Sequence, residues 1–153
     1  MLSQQANVKD AFLEKWENSK NYLIEIAQLM PEEYYDYKPT ERQRSFIEQL
    51  THIQGNMDWL STKYFNRQEA EYSTVENEKE RTIKTLELAF TYVAHSVEDT
   101  PEEELKETVE FFAGPKSKLQ ILNLLLDHVT HHRGQLIVYL NLKEIEPPRY
   151  VGW

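Results

Sequence analysis

LLLDHVTHHRGQLIVYL, residues 124–140, decides how this chain is read. Leu125, Val129, Leu136 and Tyr139 recur at steps of three, four and seven, the repeat of a helix with one buried face. The same run holds three of the chain's five histidines, where leucines would pack better. Its start is signalled by Ser117 and Gln120, three apart as in a capping box, and its apolar pattern ends near Leu142, ahead of Pro147 and Pro148.

Working outward, three further segments have the same character. Val8, Phe12, Trp16, Leu23, Ala27 and Met30 form one stripe, with Ser3 as its candidate cap and Pro31 opening a turn after it. Phe46, Leu50, Ile53, Met57, Leu60 and Tyr64 form a second, led by Ser45 and Glu48 in capping-box relation. Ile83, Leu86, Phe90, Val93 and Val97 form a third, which halts before Pro101. In TPEEEL, residues 100–105, Thr100 as cap, Pro101 at the first position and Glu103 closing the box predict an extra short helix. Four helices with one apolar side each bury those sides together, so the expected fold is all-α: a four-helix bundle in a single domain, residues 1–153. Connections of about 10–17 residues are long for a bundle and leave room for a crossover or short helices.

Composition narrows the function. A formal charge of −9 with no clustered basic stripe excludes a nucleic-acid surface. The absence of cysteine excludes a disulfide framework and a thiolate nucleophile of the chain's own, and fits a reducing cytoplasm. The first ten residues do not read as a signal peptide, and no apolar run approaches the roughly 18–20 residues of a membrane span. The acidic run EDTPEEELKETVE, residues 98–110, reads as a solvated helix face. The three tyrosines of EEYYDYKP, residues 32–39, read as a loop over one bundle end, and Trp16, Trp59 and Trp153 as core or cap.

His128 and His132 lie one helical turn apart and can offer two nitrogens to one metal ion. The bland alternative is a pair of partly buried histidines satisfied by hydrogen bonds. His131 sits about 100° away on the wheel and belongs at the rim. His52, well inside the second segment, is a third candidate, though about 120° from the centre of its apolar stripe. His95, near the end of the third helix, suits a helix-end role. Glu48, one turn before His52, is placed to orient that ring. Asp127 and Arg133 point to other faces, Gly134 is read as permitting close helix approach, and Gln135 as hydrogen-bonding near the pair.

THIQGNMDWL at 51–60, then HHRGQ and a terminal PP, together resemble the DinB family of small bacterial four-helix bundles. The family pattern H-x-x-x-H-R-G-Q matches His128, His132, Arg133, Gly134 and Gln135, and residues 30–53 resemble the family's connector and second-helix start. Family members often carry a glycine ahead of the prolines, where this chain reads LKEIEPP. The resemblance implies a three-histidine metal site of His52, His128 and His132, and a homodimer. Three nitrogens leave a position for water or a substrate atom, as in catalytic rather than structural zinc. Imidazole suits zinc or nickel first, with iron, copper or manganese also admitted. Some relatives in the superfamily use the metal to activate a low-molecular-weight thiol, which makes a small-molecule thiol and an electrophile the expected substrates. A non-catalytic metal-binding module and a metal-dependent hydrolase are the alternatives.

Overall fold

The computed structural model describes residues 7–68, 70–72 and 77–153. It contains helices α1 (Val8–Leu29), α2 (Phe46–Tyr64), α3 (Glu78–Glu98) and α4 (Lys118–Leu142). Short 3-10 turns occupy Glu32–Tyr34 and Glu102–Lys106. Strands β1 (Thr108–Val109) and β2 (Lys116–Ser117) form a small antiparallel pair just before α4.

α1 and α2 each pack against both α3 and α4, so the order around the bundle is α1, α3, α2, α4. Two of the three connections, residues 30–45 and 99–117, therefore run across the diagonal, which accounts for their length. The stripes meet inside: Trp16, Phe90, Leu23, Met57, Leu125 and Leu136 are among the buried residues. Trp16 also donates its indole N–H to the Phe90 carbonyl at 3.0 Å, which removes the cost of burying that donor.

Both capping boxes are present. Ser45 Oγ accepts from the Glu48 amide while Glu48 Oε2 accepts from Ser45 N at 2.6 Å, and Ser117 and Gln120 repeat the arrangement at α4. The Ser3 expectation lies outside the described residues; Asn7 caps α1, and Val8 is 48% exposed rather than part of the core. Thr100 caps nothing downstream. Its hydroxyl instead donates to the Ser96 carbonyl at 2.7 Å, while the expected extra short helix is present as a 3-10 helix, Glu102–Lys106, without a side-chain cap. Nor is the acidic run one solvated helix face: Glu104 and Glu107 both pair with Lys118, at 2.9 and 3.1 Å, and the chain then enters β1. Trp59 stacks on Phe111 while remaining partly exposed, and Trp153 is 66% exposed rather than a cap.

The tyrosine loop does close one bundle end. Tyr35 is buried against Phe46 and donates to the Ala27 carbonyl at 2.7 Å, Tyr37 meets Tyr139 edge-on, and Lys143 Nζ sits over Tyr34 and Tyr37. Beyond α2, Arg67 folds back into the bundle wall. Its guanidinium donates to Asp58 and to Tyr72 Oη, Tyr72 donates to Asp58 at 2.7 Å, and Gln54 Nε2 donates to the other oxygen of the same carboxylate.

α4 ends in a Schellman turn. Ile145 N donates to the Leu140 carbonyl and Glu144 N to that of Asn141, with Glu144 in the left-handed conformation at φ 58°. That position ordinarily takes glycine, the residue type missing from this chain ahead of its prolines. Glu144→Gly is expected to raise stability by about 0.5–1 kcal/mol, read as a shift in urea midpoint at constant m-value. Gly134 behaves oppositely. It lies exposed within α4, and a Cβ added there meets nothing within 4 Å, so it serves no close helix approach. Gly134→Ala is expected to stabilise by up to about 1 kcal/mol in the same assay.

Candidate metal centre

The packing of α2 against α4 brings His52, His128 and His132 together. Ring centroids lie 4.8 Å apart for His52 and His128, 4.6 Å for His52 and His132, and 4.5 Å for His128 and His132. One nitrogen from each ring lies within 4.8 Å of the other two. His52, a flank residue on the wheel of α2, is half-buried because that flank is the one α4 covers.

The His132 ring is held in a specific tautomer. Gln49, one turn before His52 and fully buried, accepts from His132 Nδ1 at 2.6 Å through its carbonyl oxygen. Its amide nitrogen donates to Gln135 Oε1 at 2.6 Å and to Tyr139 Oη at 3.3 Å. Tyr139 in turn donates to the Arg44 carbonyl at 2.7 Å, so it has a lone pair free for Gln49. These partners fix the amide's orientation and hence place the His132 proton on Nδ1. The Nε2 lone pair of His132 is left for the cluster, the usual role of an outer partner to a metal-binding histidine.

His128 Nε2 and His52 Nε2 approach to 3.1 Å. Two ligand nitrogens on one tetrahedral ion at 2.0–2.1 Å would stand about 3.3 Å apart, so this pair already has the required spacing. His128 Nδ1 is buried with no hydrogen-bond partner. The donor set therefore fits a borderline transition metal such as zinc or nickel, and fits calcium or magnesium poorly, since it offers no oxygen.

The rings are uncharged at neutral pH. Burial is the main cause for each. It pushes His128 down to about 4 with help from His52, His131 and Arg44, and His132 down to about 4 with help from His128, His52, His131 and Arg44. His52 is lowered by burial and then by Arg44. Neutral imidazole is the ligand form, so protons compete little with a metal near pH 7. The metal-free protein carries the corresponding cost in acid. Between about pH 6.5 and 4 the unfolded imidazoles bind protons that the folded ones refuse, so stability is full above this window and falls as pH drops through it. In urea titrations of metal-free protein across that range, His128→Phe is expected to show a shallower loss than the parent chain.

Not every residue named from the sequence joins the cluster. His131 is exposed at its rim, with its ring edge against His132 and Gln135 Nε2 donating to it at 3.1 Å. His95 is exposed in the last turn of α3. Glu48 does not orient His52: its carboxylate is held in the α2 capping box. Arg133 is buried under Tyr22 of α1, with its guanidinium 4.6 Å from the ring centre, facing away from the cluster as expected. Gln49 is the residue that sequence reading missed. The available signal is a glutamine on the buried flank of an amphipathic helix, three positions before a histidine.

On the His52 side the cluster borders a groove of about 780 Å³ formed with the connector before α2. No helix among the described residues is long and apolar enough to cross a membrane.

Known proteins share this architecture. Over 128 residues the chain is 29% identical to YjoA of Bacillus subtilis (strain 168), an uncharacterised protein, spanning 79% of this chain and 81% of that one. The crystal structure of YjoA, a DinB-like protein, superposes with a TM-score of 0.76 at 22% identity, covering 92% of this chain and 96% of that one. A DinB-like protein from Bacillus cereus ATCC 10987 superposes with a TM-score of 0.79 at 16% identity, covering 93% and 97%. The family model for DinB matches residues 1–149, and with that match over nearly the whole length, the chain belongs to the DinB family.

Proposed function

We propose that this protein is a metal-dependent enzyme that activates a low-molecular-weight thiol for transfer to a small electrophile. The observation that carries this reading is the convergence of three neutral imidazoles from two helices on one point, beside a groove open to solvent. His52, His128 and His132 would hold the ion, with zinc or nickel best suited to three nitrogens. Such a cation acts as a Lewis acid that converts a thiol to its nucleophilic thiolate near neutral pH. Gln49 holds the His132 proton on Nδ1, which would leave Nε2 for an ion. The chain has no cysteine, so the sulfur comes from solution.

In the transfer, the sulfur forms a bond to an electrophilic carbon, the leaving group departs with the bonding pair, and the thiol proton passes to solvent. The same reading places the protein in a reducing cytoplasm, as a homodimer. The test is zinc- or nickel-loaded protein with 2-mercaptoethanol and 1-chloro-2,4-dinitrobenzene, following thioether formation and chloride release. A rate above that of His132→Ala is expected. Equal rates would overturn the transfer reading and favour a metal-binding module without turnover.

A further inference from the structure

We propose that the groove beside His52 is an anion subsite, in which Arg44 with Arg42 binds a carboxylate carried by the thiol substrate. This rests on the thiol reading above and adds the substrate's second recognition element.

The groove is lined by Lys38, Arg42, Arg44, Glu48, His52 and Gln135, so it joins a basic edge to one ring of the cluster. Its acidic members are largely committed elsewhere. Glu41 pairs with Lys38 at 3.0 Å, and Glu48 Oε2 accepts from Ser45 N. Among the described residues no ion pair or hydrogen bond engages the side chain of Arg42 or Arg44. Two guanidinium groups without a carboxylate partner thus stand together at the mouth of the candidate centre.

The first amides of α2 are already engaged and do not serve the anion. At the start of α2, Phe46 N donates to the Tyr37 carbonyl, Ile47 N to that of Tyr35 and Glu48 N to Ser45 Oγ. Recognition thus falls to the side chains, and a guanidinium matches a carboxylate with two parallel hydrogen bonds. Arg44 is also well anchored. Its carbonyl accepts from Tyr139 Oη at 2.7 Å, which ties the residue to α4, the helix carrying His128 and His132. Its charge is felt at all three rings, which puts it within electrostatic reach of the whole cluster. A thiol whose sulfur lies at the cluster can extend its acid group along this groove.

The test uses full-length protein loaded with cobalt(II), whose sulfur-to-metal charge-transfer absorption reports thiolate binding without turnover. Dissociation constants are measured for 3-mercaptopropionate and for 2-mercaptoethanol, in the parent chain, Arg44→Met and Arg44→Lys. Expected is a preference of about tenfold for the carboxylated thiol, equivalent to about 1.4 kcal/mol. In Arg44→Met that preference disappears, with 3-mercaptopropionate losing about tenfold more affinity than 2-mercaptoethanol, and Arg44→Lys restores part of it. Because Arg44 is exposed, circular dichroism should show the variants folded. Equal constants for the two thiols in the parent chain, or a preference that survives Arg44→Met, would overturn the subsite and leave the thiol reading standing. No charge-transfer band with either thiol would overturn the thiol reading, and the subsite with it.

Discussion

His132→Ala, purified without a histidine tag and offered one equivalent of zinc, is expected to retain about a tenth or less of the metal that the unaltered chain holds. Three nitrogens are the whole donor set, so losing one leaves two ligands, and the ring removed is the one most firmly oriented. His132 is only 6% exposed, and its Nδ1 proton is fixed by Gln49. His52→Ala is expected to lose metal equally, and being half-buried on α2 it provides a second variant should the first fold poorly. His131→Ala keeps its metal, since that ring lies at the rim. Gln49→Leu keeps all three rings but releases the His132 tautomer, and a fall of about 10- to 100-fold in affinity is expected. Elemental analysis for the alanine variants and competition with a chromogenic chelator for Gln49→Leu would measure these effects. Full retention in His132→Ala, or loss in His131→Ala, would contradict the assignment.

The second large effect is on stability. Asp58→Ala is expected to cost about 3–5 kcal/mol, because it strands the Arg67 guanidinium in the bundle wall with a charge it cannot give up. The Arg67 side chain is only 3% exposed, against 27% for Asp58, and Asp58 is its only anionic partner among the described residues. The same carboxylate also accepts from Tyr72 and Gln54, so three donors lose their acceptor at once. Removing both charges is gentler. Asp58→Ala with Arg67→Met should recover much of the loss, because no buried charge then remains unpaired. Urea unfolding of the two singles and the double would show this. A cost below about 1 kcal/mol for Asp58→Ala would mean that water reaches Arg67 in place of the carboxylate.

What could be read from sequence alone follows from what is local. The apolar stripes of α1 to α4 repeat every three or four residues, and every stripe residue of α2 is buried. Ser45 with Glu48, and Ser117 with Gln120, are short-range pairs that act as written. His128 and His132 share a helix, so their proximity needs only the helical repeat.

The misreadings come from interactions that span the fold. TPEEEL does lead into a short helix, of the 3-10 kind, but the acidic run beyond it is not one helix face: Glu104 and Glu107 pair with Lys118 at the foot of α4 and the chain turns into β1. Glu48 had two plausible employments, and the local cap won. Gln49 looked like one polar residue among many until Gln135, Tyr139 and His132 arrived from a helix more than eighty residues away. Gly134 sits in a motif that invites a packing role, while the structure gives it open space.

The order of the helices around the bundle has a consequence for synthesis. His52 and His128 stand 76 positions apart, with the whole of α3 made between them, yet they end as neighbours. No contiguous fragment shorter than that interval carries the donor set. A nascent chain would have to await the birth of α4 before it could capture an ion at this cluster, so metallation would follow translation of the last helix. The ion would then work as a clasp on the finished bundle: withdrawing it with a chelator should lower the thermal midpoint by an amount that grows with the free-metal concentration of the starting sample.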